Sequence, residues 1–120
     1  MFNSNLFQLL GNRIKFNNGT VIEFEYPINV SKTIIIDFVV IIILKIPSKA
    51  IYNNNVFAIT TTGNLLWQID PEEPHFQNKD CPFVDIRLTE DDKIKLFNWC
   101  SLSFVVDPIT GKILDKGISQ

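Results

Sequence analysis

The sequence has few of the residues on which most catalytic and nucleic-acid-binding sites depend. It contains one histidine, two cysteines and two arginines among 120 residues, and its eleven basic residues form no cluster. Nucleic-acid-binding proteins usually carry a basic stripe that displaces counterions from the phosphates. Since the net charge is −2 and the pI is near 5.3, we expect no binding to nucleic acid.

Long hydrophobic runs are missing as well. The longest run, from Ile34 to Ile46, contains Asp37 and Lys45, whereas a membrane-spanning helix needs about twenty apolar residues. Residues 1–5 contain neither the basic nor the apolar part of a secretion signal. We therefore predict a cytoplasmic protein with no membrane association. Cys81 and Cys100 would stay reduced there, although nothing in the sequence excludes their pairing.

Alanine, the best helix former, occurs only twice, whereas isoleucine occurs eighteen times. β-branched side chains favour strands because they are stiff at χ1 and pack well on a pleated surface. Apolar residues make up 46% of the chain and charged residues 20%, which argues against disorder. A chain of this length is predicted to form one domain, residues 1–120, that can bury a core without disulfides or metal ions to stabilise it.

Three glycine-containing turns predict hairpins. Asn18-Gly19 is typical of a type I′ turn with two central residues at positive φ. Gly63 and Gly111 occupy corresponding turns, and Asp107 is expected to accept hydrogen bonds from the backbone just after it. The strands predicted around these turns are 13–16 and 21–26, 56–60 and 64–69, and 102–107 and 112–116.

Other segments are open to more than one interpretation. Residues 1–12 form either a short helix capped by Ser4 or an edge strand. Residues 33–46 are interpreted as one long strand buried on both faces, with a bend or bulge near Asp37. Residues 70–82 form a long loop with three prolines, and Cys100-Ser101 a two-residue turn. Residues 83–88 and 93–99 alternate as strands do, with a helix capped by Thr89 as the competing interpretation of the second.

These elements predict an all-β fold. About nine short strands with a turn signal at intervals of about ten residues are typical of a sandwich or a barrel. We therefore expect an antiparallel meander of about nine short strands, with propeller-blade-like hairpins in a compact sandwich or open barrel.

Two of the hairpins resemble those of a known family. Residues 55–69 read Asn-Val-Phe-Ala-Ile-Thr-Thr-Thr-Gly-Asn-Leu-Leu-Trp-Gln-Ile, and residues 105–114 read Val-Val-Asp-Pro-Ile-Thr-Gly-Lys-Ile-Leu. Both resemble the blade hairpins of the PQQ-type (quinoprotein-like) β-propellers. The resemblance implies a hairpin geometry and no activity, because residues that bind quinone or calcium have no counterpart here. The chain is also too short for the four blades that a propeller needs. As a whole it resembles small single-domain bacterial proteins without assigned function.

Alternation within the first of these hairpins predicts which side chains share a face. One face is expected to contain Val56 and Ala58, with Leu66 as a further candidate, and the other to contain Phe57, Ile59, Leu65 and Trp67. Both faces are apolar, so the hairpin should lie deep in the structure. Phe57, Ile59 and Trp67 in particular are predicted to be buried.

Catalytic and metal-binding patterns are weak. The single histidine, His75, lies near Cys81 and several carboxylates, from which an acid–base or metal site can be drawn. The spacing matches no metal signature, however, and the prolines favour a solvated loop. Residues 90–92 are acidic but lack the alternating ligands of a calcium loop, so a turn is preferred. We predict no metal and no cofactor.

The candidate binding residues are Trp67, His75, Phe76 and Trp99, since aromatic side chains are enriched at binding hot spots. The tryptophans can equally be core residues. We expect a non-catalytic binding or protein–protein interaction module. A small-molecule or sugar-binding domain that uses Trp67, Trp99 and the 70–82 loop is the alternative, and an enzyme that uses His75 with an acid or Cys81 is a third. Exposed sheet edges also predict a homodimer.

Overall fold

A computed structural model describes residues 6–71 and 79–118 and shows an all-β protein. Eleven strands form three antiparallel sheets, and these two stretches contain no α-helix and no closed barrel. A short 3₁₀ turn at Val30–Lys32 precedes the second sheet. The predicted all-β antiparallel meander is confirmed, with eleven strands where about nine were expected.

Within each sheet the strands follow one another in chain order without a crossover. The first sheet contains β1 (Phe7–Leu10), β2 (Arg13–Phe16) and β3 (Val21–Glu23). The middle sheet contains β4 (Ile34–Ile36), β5 (Val39–Ile43), β6 (Val56–Thr60) and β7 (Leu65–Gln68). The third sheet contains β8 (Phe83–Leu88), β9 (Ile94–Asn98), β10 (Leu102–Val106) and β11 (Ile113–Ile118).

The apolar segment that begins at Ile34 is a hairpin, and the prediction of one long strand was wrong. Ile36 pairs with Val39, so Asp37 and Phe38 alone connect β4 to β5. Asp37 has a φ of 54°, which aspartate tolerates better than the β-branched residues around it. The bend expected near Asp37 is therefore a complete reversal of the chain. β5 is buried on both faces, as predicted.

The middle sheet lies between the other two, because alternate residues of β5 enter two separate cores. Val39 and Ile41 pack in the core shared with the third sheet, which also contains Leu96 and Phe104. Val40 packs in the core shared with the first sheet. That second core also contains Phe7, Ile14 and Phe16 from the first sheet, Phe24 just after it, and Ile42 and Ile59 from the middle sheet.

The turns at Gly19 and Gly63 share one geometry. Each glycine N–H donates to the carbonyl oxygen three residues earlier, that of Phe16 or Thr60. The glycines have φ values of 92° and 96°, while Asn18 is not at positive φ. This is the three-residue loop that ends in a positive-φ residue, so the two-residue type I′ turn predicted at Asn18-Gly19 was wrong.

The third glycine turn is one residue longer. The Gly111 N–H donates to the carbonyl oxygen of Asp107, four residues earlier, and its φ is 76°. The Asp107 carboxylate accepts hydrogen bonds from the N–H groups of Ile109 and Thr110, at 2.8 and 3.2 Å. The predicted role of Asp107 in this turn is confirmed.

A β-bulge in β7 places Trp67 on the face opposite to the predicted one. Ala58 pairs with Trp67 and Ile59 with Leu65, which leaves Leu66 out of register. Trp67 therefore shares a core with Ala58, whereas Ile59 packs in the other core. Ile59 and Trp67 are buried as expected, and Phe57 is only half-buried.

Two segments that the sequence left open are strands. β1 shows that residues 7–10 form a strand, which decides against the helix over that part; Ser4 lies outside the described residues. β9 likewise excludes a helix after Thr89. Between β9 and β10 the chain turns over three residues, Trp99 to Ser101, with Ser101 at a φ of 68°. The two-residue turn predicted at Cys100-Ser101 was therefore one residue too short.

Cys81 and Cys100 form a disulfide, contrary to the expectation that they stay reduced. Pairing of β8 with β9 brings them together, since Phe83 lies opposite Asn98. The two Cα atoms are 5.3 Å apart, within the usual range for a disulfide. The bond attaches the end of the 70–82 segment to the turn between β9 and β10.

Candidate binding surface

The structure places the four candidate binding residues differently. His75 and Phe76 lie outside the described residues. Trp67 packs against the turn that follows β10, whereas Trp99 belongs to the turn that precedes β10. The two tryptophans are therefore at opposite ends of that strand and do not form one site.

Trp67 is a core residue, with 8% of its surface exposed. Its indole N–H donates a 2.9 Å hydrogen bond to the carbonyl oxygen of Pro108. The polar atom of the ring thus has a partner within the protein. Trp67 offers neither an exposed ring face nor a free donor to a ligand.

Trp99 is 70% exposed and sits on a well-supported turn. Its backbone N–H donates to the carbonyl oxygen of Pro82 at 2.8 Å. The buried Asn98 side chain accepts hydrogen bonds from the N–H groups of Cys100 and Leu102, at 3.0 and 2.9 Å. The disulfide at Cys100 adds a covalent link to the same turn. These contacts fix the backbone that carries the exposed indole.

Other apolar side chains are exposed at the same end of the third sheet. Val84 follows Phe83, which pairs with Asn98, and Ile118 pairs with Leu102. Val84 is exposed, and Ile118 is 79% exposed. Val84 on β8 and Ile118 on β11 lie on the two edge strands of this sheet, and Trp99 lies in the turn between β9 and β10. We call Val84, Trp99 and Ile118 the Trp99 surface.

Two cations and an aromatic ring form a second feature of the third sheet. Arg87 on β8 pairs directly with Lys95 on β9. The Arg87 guanidinium carbon lies 5.1 Å and the Lys95 ammonium nitrogen 5.5 Å from the centroid of the Phe97 ring. Lys95 and Phe97 alternate with the buried Leu96, so they point away from the core. We call Arg87, Lys95 and Phe97 the Phe97 cluster.

Sequence reasoning missed the Phe97 cluster. Arg87 and Lys95 each occur at a polar position of an alternating strand, which is typical of any solvated face. Only the register between β8 and β9 makes them direct neighbours. The sequence contains the two cysteines of the disulfide-bearing turn, whereas the hydrogen bonds that Asn98 accepts are visible only in the structure.

A carboxylate near this cluster is already engaged. Asp85 accepts from the Lys32 ammonium at 2.9 Å and from the Ile86 N–H at 2.8 Å. Partial burial raises the pKa of the Asp85 carboxyl. The hydrogen bonds from Lys32 and Ile86 and the charges of Lys32 and Arg87 outweigh that effect, so its pKa lies below the ordinary value.

The acidic residues 90–92 form a turn, as predicted. The Thr89 hydroxyl donates to the Asp91 carboxylate at 2.6 Å and lowers the pKa of that group. Asp92 adopts a φ of 62°. In the described part of the chain, no group of three or more His, Cys, Asp or Glu side chains could hold a metal ion.

Comparison with known proteins gives a family and no function. No curated protein and no solved structure matches the chain, so the resemblance of its hairpins to PQQ-type propeller blades has no support from relatives. Within the described residues, no helix is long and apolar enough to cross a membrane. A family model described as "Domain of unknown function (DUF7957)" matches residues 7–118, and the chain belongs to that family.

Proposed function

We propose that the domain is a non-catalytic protein-interaction module that contacts its partner through the Trp99 surface. The observation that carries this proposal is the 70% exposure of Trp99 on a turn fixed by hydrogen bonds and a disulfide. Exposed apolar area is unfavourable in water, and tryptophan is among the residues most enriched at interface hot spots. A fixed backbone also reduces the entropy lost on binding.

The disulfide supports a non-catalytic role. The described residues contain no free cysteine, so Cys81 is not a thiol nucleophile for the enzyme hypothesis. The sugar-binding alternative loses one of its two aromatic platforms, because Trp67 is buried and its indole N–H is already bonded.

A homodimer through a sheet edge is part of this proposal. β11 is an edge of the third sheet, and most of its side chains are exposed. Unpaired N–H and C=O groups on such an edge can pair with another strand. Light scattering on the eluting peak of a sizing column measures the mass, and a monomer at high micromolar concentration contradicts the dimer.

The cellular compartment is a separate part of the proposal. Cytoplasmic location is our proposal, whereas a persistent disulfide such as Cys81–Cys100 is typical of oxidising compartments. Alkylation of thiols in rapidly quenched native cells distinguishes reduced cysteines, which the cytoplasm predicts, from the disulfide, which an oxidising compartment predicts. Labelled Cys81 and Cys100 support the cytoplasm, and unlabelled cysteines that react only after reduction contradict it.

The interaction is tested by affinity capture from a lysate of the native organism, with the wild-type protein and two variants. Trp99→Ala removes the proposed anchor. Ile109→Ala removes an exposed apolar side chain from the turn between β10 and β11, at the other end of β10. We expect a partner that is retained by wild type and Ile109→Ala and lost by Trp99→Ala. Equal retention by all three proteins places the interface elsewhere, and the absence of any retained partner argues against the module.

A further inference from the structure

We propose that the Phe97 cluster binds a short acidic segment of the protein partner. This inference rests on the proposed function and adds the chemistry of the partner. It concerns the open face of the third sheet, where Phe97 precedes Trp99 by two residues on the same hairpin.

The pairing of two cations is unusual for an outer sheet face. Arg87 lies directly opposite Lys95, and like charges in that position destabilise a sheet. The outer face of the first sheet shows the usual arrangement, since Arg13 there pairs with Glu23. On the third sheet the two cations lie side by side, and Asp85, the carboxylate two residues earlier on β8, is bonded to Lys32.

No carboxylate among residues 6–71 and 79–118 forms a salt bridge with Arg87 or Lys95. The one salt bridge found there joins Lys32 to Asp85. The negative face of the Phe97 ring attracts both cations, but it supplies no anion. An incoming carboxylate would reduce the repulsion between the two side chains and accept charge-assisted hydrogen bonds from them.

The chemistry of the cluster favours an acidic peptide over a nucleic acid. The Arg87 guanidinium can hold a carboxylate through two parallel hydrogen bonds. Two cations suffice for one or two carboxylates, whereas a polyphosphate usually needs a longer basic stripe that displaces counterions along its length. Phe97 and the nearby Trp99 provide apolar surface for an aromatic residue of the same segment.

Fluorescence anisotropy tests the proposal with three labelled probes. They are a short peptide of alternating aspartate and glutamate around one tyrosine, the same peptide with asparagine and glutamine in place of the acids, and a short oligouridine RNA. The double variant Arg87→Gln/Lys95→Gln removes the charges of the cluster. The matched control, Arg13→Gln/Lys15→Gln, removes two exposed cations from the outer face of the first sheet.

We expect the acidic peptide to bind wild type and the control equally, and to bind Arg87→Gln/Lys95→Gln about tenfold more weakly. Binding should weaken as salt rises, because the charges lie at the protein surface, where Arg87 is exposed and Lys95 is half-buried. Phe97→Leu keeps both charges and should weaken binding less. Equal losses in the cluster variant and the control overturn the proposal, as does equal affinity for the acidic and neutral peptides.

Tighter binding of the RNA than of the acidic peptide assigns the cluster to nucleic acid and overturns the peptide. The experiments also distinguish a wrong proposal about the acidic segment from a wrong proposal about the interaction module. Lysate capture that depends on Trp99 but is unchanged by Arg87→Gln/Lys95→Gln contradicts only the acidic segment.

Discussion

The indole ring of Trp67 lies directly over Gly111. A Cβ atom added to Gly111 would be 2.6 Å from Cγ of the indole, closer than any tolerated contact. The carbonyl of Pro108 in the same turn accepts the indole N–H. The last turn of the third sheet is thus attached to the last strand of the middle sheet through one side chain.

Gly111→Ala should therefore destabilise the protein more than Gly19→Ala. Both glycines have positive φ, which costs alanine about 1 kcal/mol. Only Gly111 also meets the Trp67 ring, and this clash adds about 2 kcal/mol, whereas nothing lies within 4 Å of a Cβ at Gly19. Urea denaturation followed by circular dichroism measures both free energies of unfolding. Equal losses for the two variants contradict the contact with Trp67.

Asn55→Ala should cost about 3 kcal/mol. Asn55 is fully buried, and its amide donates to the carbonyl oxygens of Leu44 and Phe83 and accepts from the Phe83 N–H. Alanine leaves these backbone groups unpaired at the junction of the middle and third sheets. The exposed Asn64→Ala is the control, with a change below about 0.5 kcal/mol in the same denaturation experiment.

The double variant Cys81→Ala/Cys100→Ala should lose about 3 kcal/mol of unfolding free energy, because the disulfide closes a loop of intermediate length in the unfolded chain. The two cysteines are 19 residues apart. Dithiothreitol should destabilise the wild type by a similar amount and leave the double variant unchanged. If dithiothreitol also destabilises the double variant, its effect on the wild type does not come from the disulfide.

The two tryptophans should respond differently to a quencher. Trp67→Phe leaves only Trp99, which is exposed, and its fluorescence should be red-shifted and strongly quenched by acrylamide. Trp99→Phe leaves the buried Trp67, whose emission should be blue-shifted and protected. Similar quenching of the two variants contradicts the assigned environments.

Stability should fall as the pH drops below about 4, in part because of Asp107. Hydrogen bonds from the Ile109 and Thr110 N–H groups lower the pKa of Asp107 from 3.8. A carboxyl with a lower pKa in the folded state contributes stability above the unfolded pKa, and that stability is lost as the pH falls through the folded value. Carboxyl carbon NMR follows the titration directly. Asp107→Asn should reduce the acid dependence of stability, and an unchanged dependence contradicts this role.

Local sequence patterns predicted the strands and most hairpins. The alternation of apolar and polar residues and the position of a glycine in a turn depend only on residues that are close in sequence. The patterns failed where pairing between strands decides the outcome. Nothing local shows that Asp37 reverses the chain rather than bending it, since both options leave the isoleucines buried. The bulge at Leu66 is equally invisible, yet it decides which core Trp67 enters.

The binding surface was predictable only in part. Trp99 was selected as a candidate for its residue type, but its exposure depends on the turn geometry set by Asn98. The Phe97 cluster depends on the register of β8 against β9, and a sequence without a structure does not supply that register. His75 and Phe76 remain untested candidates.

The order of the sheets has a consequence for how the chain folds and opens. Each sheet forms from strands that are adjacent in sequence, so most pairing needs only short loops to close, which favours fast folding. The two cores link the middle sheet to each neighbour, and neither core joins the first sheet to the third. Amide hydrogens of β5 and β6 should therefore exchange with solvent last, while the first and third sheets open independently at lower free energy.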